Sequence, residues 1–307
     1  MTQLSSTSAL PLPGLRARAR SYLGLCKLRI VELIVFTAVV GMLLAVPGWP
    51  PFGRVLLATL GIGLAAASAA AINHVIDHHI DNRMRRTCYR PLPRGTLTER
   101  QALVFAAVLG VASMAVMTLG VNVLSAVLTF CGLIGYAVVY TAFLKHITPQ
   151  NIVLGGAAGA VPPVIGWTAM TGHISPMALA LFLVIFIWTP PHFWALAIHR
   201  RDDYAKAGVP MLPVTHGIKL TRLHILLYTI LLVAVSLMPW WLGASGWLYL
   251  AAALTLGTGF LYHAVKLWRG RDERAPMATF RYSILYLSLL FAALLLDHYL
   301  LLVVPAG

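Results

Sequence analysis

Nine stretches of about twenty residues, nearly free of charge, recur along this 307-residue chain. A helix needs that length to cross a hydrocarbon core of ~30 Å. In lipid every backbone polar group must find its partner within the spanning structure, so continuous apolar runs of this length are read as helices. The runs lie at roughly 30–47, 54–76, 102–119, 122–143, 151–170, 175–197, 223–242, 246–266 and 282–303. They predict an all-α polytopic membrane protein with nine transmembrane helices. Soluble domains carry about a quarter charged residues, whereas this chain has 10% charged and 59% hydrophobic residues. No soluble domain fits between the runs; the longest polar loops are 77–101 and 199–222. Any chemistry must therefore sit at the mouth of a helix bundle or inside it.

The basic residues orient the bundle. With nine spans, all 23 Lys and Arg residues except Arg54 fall on one face. By the positive-inside rule that face is cytoplasmic, or the matrix side of a mitochondrion. The formal charge of +14 is thus topology in contact with a lipid bilayer, and calls for no nucleic acid. Residues 1–26 read as an N-terminal cytoplasmic arm before a membrane domain at 27–307, in a bacterial inner membrane. The Ser- and Arg-containing, acid-free arm faintly resembles a transit peptide, which makes the mitochondrial inner membrane the alternative. Cys26, Cys88 and Cys131 suggest neither a disulfide framework nor a metal knuckle. The tryptophans, among them Trp167, Trp188, Trp194, Trp240, Trp241 and Trp247, are expected mostly in interfacial belts.

Only nine acidic residues serve the whole chain, and two share one phrase at the end of the second run: Asn73-His74-Val75-Ile76-Asp77-His78-His79-Ile80-Asp81. On a helix, positions i, i+4 and i+8 form one slowly drifting stripe, so Asn73, Asp77 and Asp81 make a ladder of oxygen-bearing side chains. Mg²⁺ favours such a setting, taking one or two carboxylates, substrate phosphates and water. Arg83, Arg85, Arg86 and Arg90 follow at once, and the planar guanidinium fork matches phosphate oxygens. Arg85, Arg94 and Arg100 are assigned the plainer task of anchoring the loop or meeting anionic lipid.

A second acidic pair, Asp202 and Asp203, closes the sixth run on the same face, among Arg200, Arg201 and Lys206. Two such loops would clamp a metal-bound diphosphate between them, although an ion pair with Arg200 or Arg201 also accounts for the pair. Glu32, just inside the first run, is either functional or paired with Lys27 or Arg29. His192, after Pro190-Pro191, is a haem ligand, an acid or base, or a partner for a carbonyl freed by the prolines. Tyr136, Tyr140, Lys145 and Asn151 line the approach to the same face.

The phrase N-x-x-x-D-x-x-x-D followed by M-x-R-T-x-x-R-P, from Asn73 to Pro91, resembles the UbiA-type intramembrane prenyltransferases. Further matching phrases are Tyr140-Thr141 with Leu144-Lys145, Gly155 to Trp167, Pro191 to Ile198, and Asp203-Tyr204 through Val214. The last of these resembles the haem-modifying branch rather than the quinone-modifying ones. The likeness runs from about Lys27 to the last span. It implies nine helices around a central cavity under cytoplasmic cap loops, with farnesyl diphosphate, protoheme IX and Mg²⁺ as ligands, and haem O and diphosphate as products. Pathway logic adds haem A synthase as a handover partner. The family's second D-x-x-x-D reads here as His199-x-x-x-Asp203, which leaves that loop short of a ligand for a second metal unless Asp202 and Asp203 supply it. On this reading Asp77, Asp81 and Asp203 hold metal and Asn73 orients it. Arg86, Arg90, Lys145, Arg200 and Lys206 hold diphosphate, while His192, Tyr136 and Tyr140 face the haem and prenyl groups. The rivals are a quinone-pathway enzyme of the same fold, differing in its acceptor pocket, and a transporter, which would place ionisable groups deep in its spans.

Overall fold

The computed structural model describes residues 15–82 and 87–303, and every regular element among them is helical. The helices used below are α1 (Leu15–Leu25), α2 (Leu28–Leu44), α3 (Phe52–Ile76), α4 (Glu99–Gly120), α5 (Val123–Ile134), α6 (Asn151–Ala160), α7 (Pro162–Thr171), α8 (Pro176–His199), α9 (Arg201–Lys206), α10 (Gly217–Ser236), α11 (Trp247–Arg269) and α12 (Ala275–Val303). Helix α5 continues without a break as a π-helix over Gly135–Leu144. Eight helical segments among the described residues are long and apolar enough to cross a membrane, α6 and α7 together making one of them. Helix α2 has 17 residues, and at 1.5 Å each it reaches about 25 Å, the short end of what spans. Counted with α2, the described helices of this kind come to nine, one more than the eight of full spanning length. The expected N-terminal arm contains α1, and its first fourteen residues lie outside the described part, as do Arg83, Arg85 and Arg86.

The helix ends follow local chemistry. Thr98 and Gln101 form a reciprocal capping box at the start of α4, satisfying donors that the first turn leaves open. Asn122 caps α5 and Ser175 caps α8 in the same way. At the far end from the basic face, the buried carboxylate of Asp297 in α12 accepts from the backbone N–H groups of Gly246 and Tyr249, fixing the start of α11.

Lipid supplies no hydrophobic drive between helices, so close backbone approach and interhelical hydrogen bonds matter more. Helices α2 and α7 touch through two glycines: a Cβ on Gly41 would overlap the carbonyl of Pro163, and one on Gly166 the carbonyl of Ala38. Helices α3 and α4 are joined by Ser68 Oγ donating to Ala106 O at 2.7 Å and Ser113 Oγ donating to Gly61 O at 2.6 Å. Exposed side chains such as Val108, Leu119 and Leu254 cover the outside, as a lipid-facing surface requires. Trp49, Trp241 and Trp247 are exposed near the end away from the basic loops, where belt residues belong. Trp167, Trp188 and Trp194 correct the belt expectation: all three are buried. The Trp188 indole N–H is spent on Ser283 O at 2.8 Å, a structural use that composition does not announce.

Candidate active site

A cavity of about 510 Å³ opens among α2, α3, the π-helix, α6, α7 and α8. Its polar end lies where α3 closes. Helix α3 ends at Ile76, yet Asp77 N–H donates to Asn73 O and Asp81 N–H to Asp77 O, so the helical path continues through the turn His78–Asp81. Asn73, Asp77 and Asp81 therefore stay in register, all three buried and all lining the cavity. His78, pointing away, meets Glu99 at 2.8 Å and ties the turn to the start of α4.

Each carboxylate faces a cation. Lys145 Nζ lies 2.7 Å from Asp77 Oδ2, and Arg90 Nη1 lies 2.6 Å from Asp81 Oδ2. The Asn73 amide donates to Asp77 Oδ2 at 3.0 Å and to Thr141 Oγ1 at 3.2 Å, while its carbonyl oxygen accepts from Lys27 Nζ. Lys145 and Arg90 thus pair with the two carboxylates, and Lys27 stands beside them on the Asn73 oxygen. Asp77 Oδ1 is buried with no hydrogen-bond partner among the described residues. A bare carboxylate oxygen is costly unless something pairs with it, and it fits a hard cation beside Asp81 and the Asn73 amide oxygen. Among the described residues no three His, Cys, Asp or Glu side chains converge on one point. The donor set therefore suits Mg²⁺ completed by phosphate and water rather than an all-protein cage.

Two features of this end were not foreseen. The first is Lys27, treated above as one charge of the basic face or a partner for Glu32. It sits between α1 and α2 with left-handed backbone, φ 48°, a conformation that costs a non-glycine residue about 1 kcal/mol or more. Burial and then the neighbouring Arg90 bring its ammonium down from the ordinary lysine range to about 7. The second is the π-helix. Residues five apart in an α-helix point about 140° apart, but an i→i+5 ladder brings them onto one face. Tyr140 and Lys145 consequently share the cavity side, and Thr141 Oγ1 bonds back to Tyr136 O at 2.8 Å. Tyr136 and Tyr140 stack at 5.5 Å, and Gly155 leaves room for the Tyr140 ring, which a Cβ there would strike.

The opposite wall is aromatic. His192 is buried between Trp188 at 4.2 Å and Phe280 at 4.6 Å. Ser283 Oγ donates to Phe280 O, so the 2.6 Å contact between His192 Nδ1 and Ser283 Oγ is donated by the imidazole. That leaves Nε2 with a lone pair. The expectation that His192 serves a carbonyl freed by the prolines is corrected: its partner is a hydroxyl on α12.

Other expected residues stand apart. Asp202, Asp203 and Lys206 are exposed, and neither they nor Arg200 line the cavity; from α9 only Tyr204 does. Adjacent helical residues point about 100° apart, so presenting Tyr204 inward turns Asp203 away. Glu32 is exposed while Val31 and Leu33 line the cavity. Arg86 falls outside the described residues.

Residues 34–301 match the model of the UbiA prenyltransferase family. The chain is 60% identical over 283 residues to a protoheme IX farnesyltransferase of Methylococcus capsulatus, covering 92% of this chain and 95% of that one. It is 59% identical to one from Thioalkalivibrio sulfidiphilus, covering 91% and 93%. Among solved structures it is similar to a digeranylgeranylglyceryl phosphate synthase, with TM-score 0.79, 19% identity and coverage of 92% and 99%. It is also similar to a UbiA homolog from Archaeoglobus fulgidus bound to GPP and Mg²⁺, with TM-score 0.60, 16% identity and coverage of 89% and 99%.

Proposed function

The chain belongs to the UbiA prenyltransferase family, and from that premise we propose that it transfers the farnesyl group of farnesyl diphosphate to a vinyl group of protoheme IX, giving haem O and diphosphate. The observation that carries the chemistry is the pairing of a compact charged cluster, Lys27, Arg90 and Lys145 around Asp77 and Asp81, with an apolar cavity directly beneath it. The cluster anchors a diphosphate, and the cavity below holds an apolar chain and a flat acceptor. The names of the close relatives supply the identity of both substrates.

In the proposed mechanism Asp77 and Asp81, with the Asn73 oxygen, hold Mg²⁺, which when bound neutralises charge building on the departing diphosphate. Arg90, Lys145 and Lys27 aim fixed donors at the same oxygens, with Arg86 as a further donor. The bond between farnesyl C1 and the diphosphate oxygen breaks, leaving an allylic cation and free diphosphate. Tyr136 and Tyr140 present ring faces that suit a cation. The terminal vinyl carbon attacks C1, and water captures the resulting porphyrin-stabilised cation, losing a proton to leave the hydroxyethyl group. The apolar walls keep bulk water from the farnesyl cation before that attack. His192, with its Nε2 lone pair toward the cavity, stacks or ligates the porphyrin side. Asp203, one residue before the cavity-lining Tyr204, would be a further carboxylate for the metal, and Arg200 and Lys206 would be further cations for the diphosphate. The charge asymmetry supports a cytoplasmic basic face, and the bacterial relatives support a bacterial inner membrane.

Incubating the purified protein with protoheme, farnesyl diphosphate and Mg²⁺ is expected to give a haem heavier by one farnesyl group and one hydroxyl group. No such product, with prenylation of an aromatic acid instead, overturns the assignment.

A further inference from the structure

We propose that Ile62 is the floor that sets the length of prenyl chain this cavity accepts. The proposal rests on the diphosphate site described above and adds to it a residue that decides substrate choice. Helix α3 presents to the cavity the positions 62, 65, 66, 69, 70, 73, 77 and 81, one face at helical spacing. Above Ile62 the four apolar positions are all alanine, so the wall is smooth and recessed. At Ile62 the first bulky side chain closes it.

The neighbouring elements stop at the same depth. On α2 the lining ends at Thr37, on α5 at Thr129, and on α7 at Ile165. The next residues inward, Ala38, Met42, Ala126 and Met170, are buried together with Ile62 in one packed cluster and do not line this cavity. Four helices meeting in one cluster make a floor rather than a local bump.

The depth matches the chain. From Asn73 to Ile62 is eleven residues of α3, a rise of about 16 Å. An extended farnesyl group, with about twelve carbons in line and an advance of ~1.2 Å per bond, spans roughly 14 Å. One more isoprene unit adds about 5 Å on the same footing and would run into Ile62. The α3 side is the chain's side because the anchor for its diphosphate stands at the top of the same helix face. The other wall, with Trp188, His192 and Phe193, offers flat rings to a flat acceptor. Behind Ile62 lie Met42, Met117 and Met170, unbranched side chains that readily repack around an intruding chain.

The test is a competition between geranyl, farnesyl and geranylgeranyl diphosphates, with protoheme and Mg²⁺, read as the masses of the prenylated haems. A single methylene in an apolar pocket is worth roughly tenfold or more in discrimination. Ile62→Ala is therefore expected to raise the geranylgeranyl-to-farnesyl product ratio at least tenfold while still forming the farnesyl product. Ala66→Phe, which raises the floor by one turn, is expected to shift the preference at least tenfold toward geranyl. Unchanged length preference in both variants, with the farnesyl product still formed, overturns the floor and leaves the farnesyltransferase reading intact. No prenylated haem from the unaltered protein overturns the reading beneath it, and the floor with it.

Discussion

Replacing Lys27 by methionine is expected to remove a proton that the site takes up when it binds an anion. Methionine keeps the apolar stem and loses only the charge. Burial and the Arg90 guanidinium hold Lys27 at about 7, so at pH 8 about one site in ten carries the ammonium proton. A diphosphate between Lys27, Arg90 and Lys145 reverses the balance of nearby charge and favours the ammonium form, although the lysine stays buried. Binding at pH 8 should then draw in up to about 0.9 proton per site, and at pH 6, where the lysine is already charged, at most about 0.1. Calorimetric titration with a non-reacting farnesyl thiodiphosphate, in two buffers of different ionisation enthalpy, reads this number directly. Lys27→Met should lose nearly all of the difference between pH 8 and pH 6. Equal uptake in the two proteins at pH 8 would refute the argument. The linkage has a matching sign in stability. The folded pKa lies below the unfolded value near 10.5, so without bound anion the fold gains stability as pH rises from about 7 toward that value.

Asp77→Asn and Asp81→Asn should each lower haem O formation at least a hundredfold, the scale at which charge stabilisation usually acts, with the protein still folded by circular dichroism. Near-normal product mass in either variant would remove the metal assignment. Asp203→Asn should raise the KM for farnesyl diphosphate by about tenfold or more, the scale of a single lost charged contact, and shift the Mg²⁺ dependence. An unchanged Mg²⁺ titration would leave Asp203 outside the metal shell. Gly41→Ala forces α2 and α7 apart at the Pro163 carbonyl and should cost about 1–3 kcal/mol as overpacking. Thermal unfolding in detergent checks this, and an unshifted Tm would mean the helices can separate freely.

The spans were legible in the sequence because lipid punishes charge along about twenty residues at a time, a signal too long to miss. The Asn73, Asp77 and Asp81 ladder was legible because scarce acids at fourfold spacing can share a face only on a helix, and α3 carries that path past its formal end. Lys145 was legible as a residue but not in its pairing: only the π-helix turns it toward Asp77, and no residue in Gly135–Leu144 forbids an ordinary α-helix. Lys27 was hidden among five basic residues that topology already explained. Asp203 was legible as a residue but not in its orientation: Tyr204 takes the inward position of α9 and leaves the Asp203 side chain exposed. Trp188 resembled a belt residue because composition records that a tryptophan is amphipathic, not that its N–H finds Ser283 O.

The two ion pairs, Asp77 with Lys145 and Asp81 with Arg90, bear on how the site empties as well as how it fills. An arriving magnesium diphosphate need not bring counterions from water: each carboxylate can trade its cation for the metal, and each freed cation can trade its carboxylate for a phosphate oxygen. The exchange reverses when the diphosphate leaves, each charge returning to a partner already in place. On the proposed function, loading and unloading would be a swap among charges the bundle always contains, so tight anchoring of a highly charged group need not slow its departure.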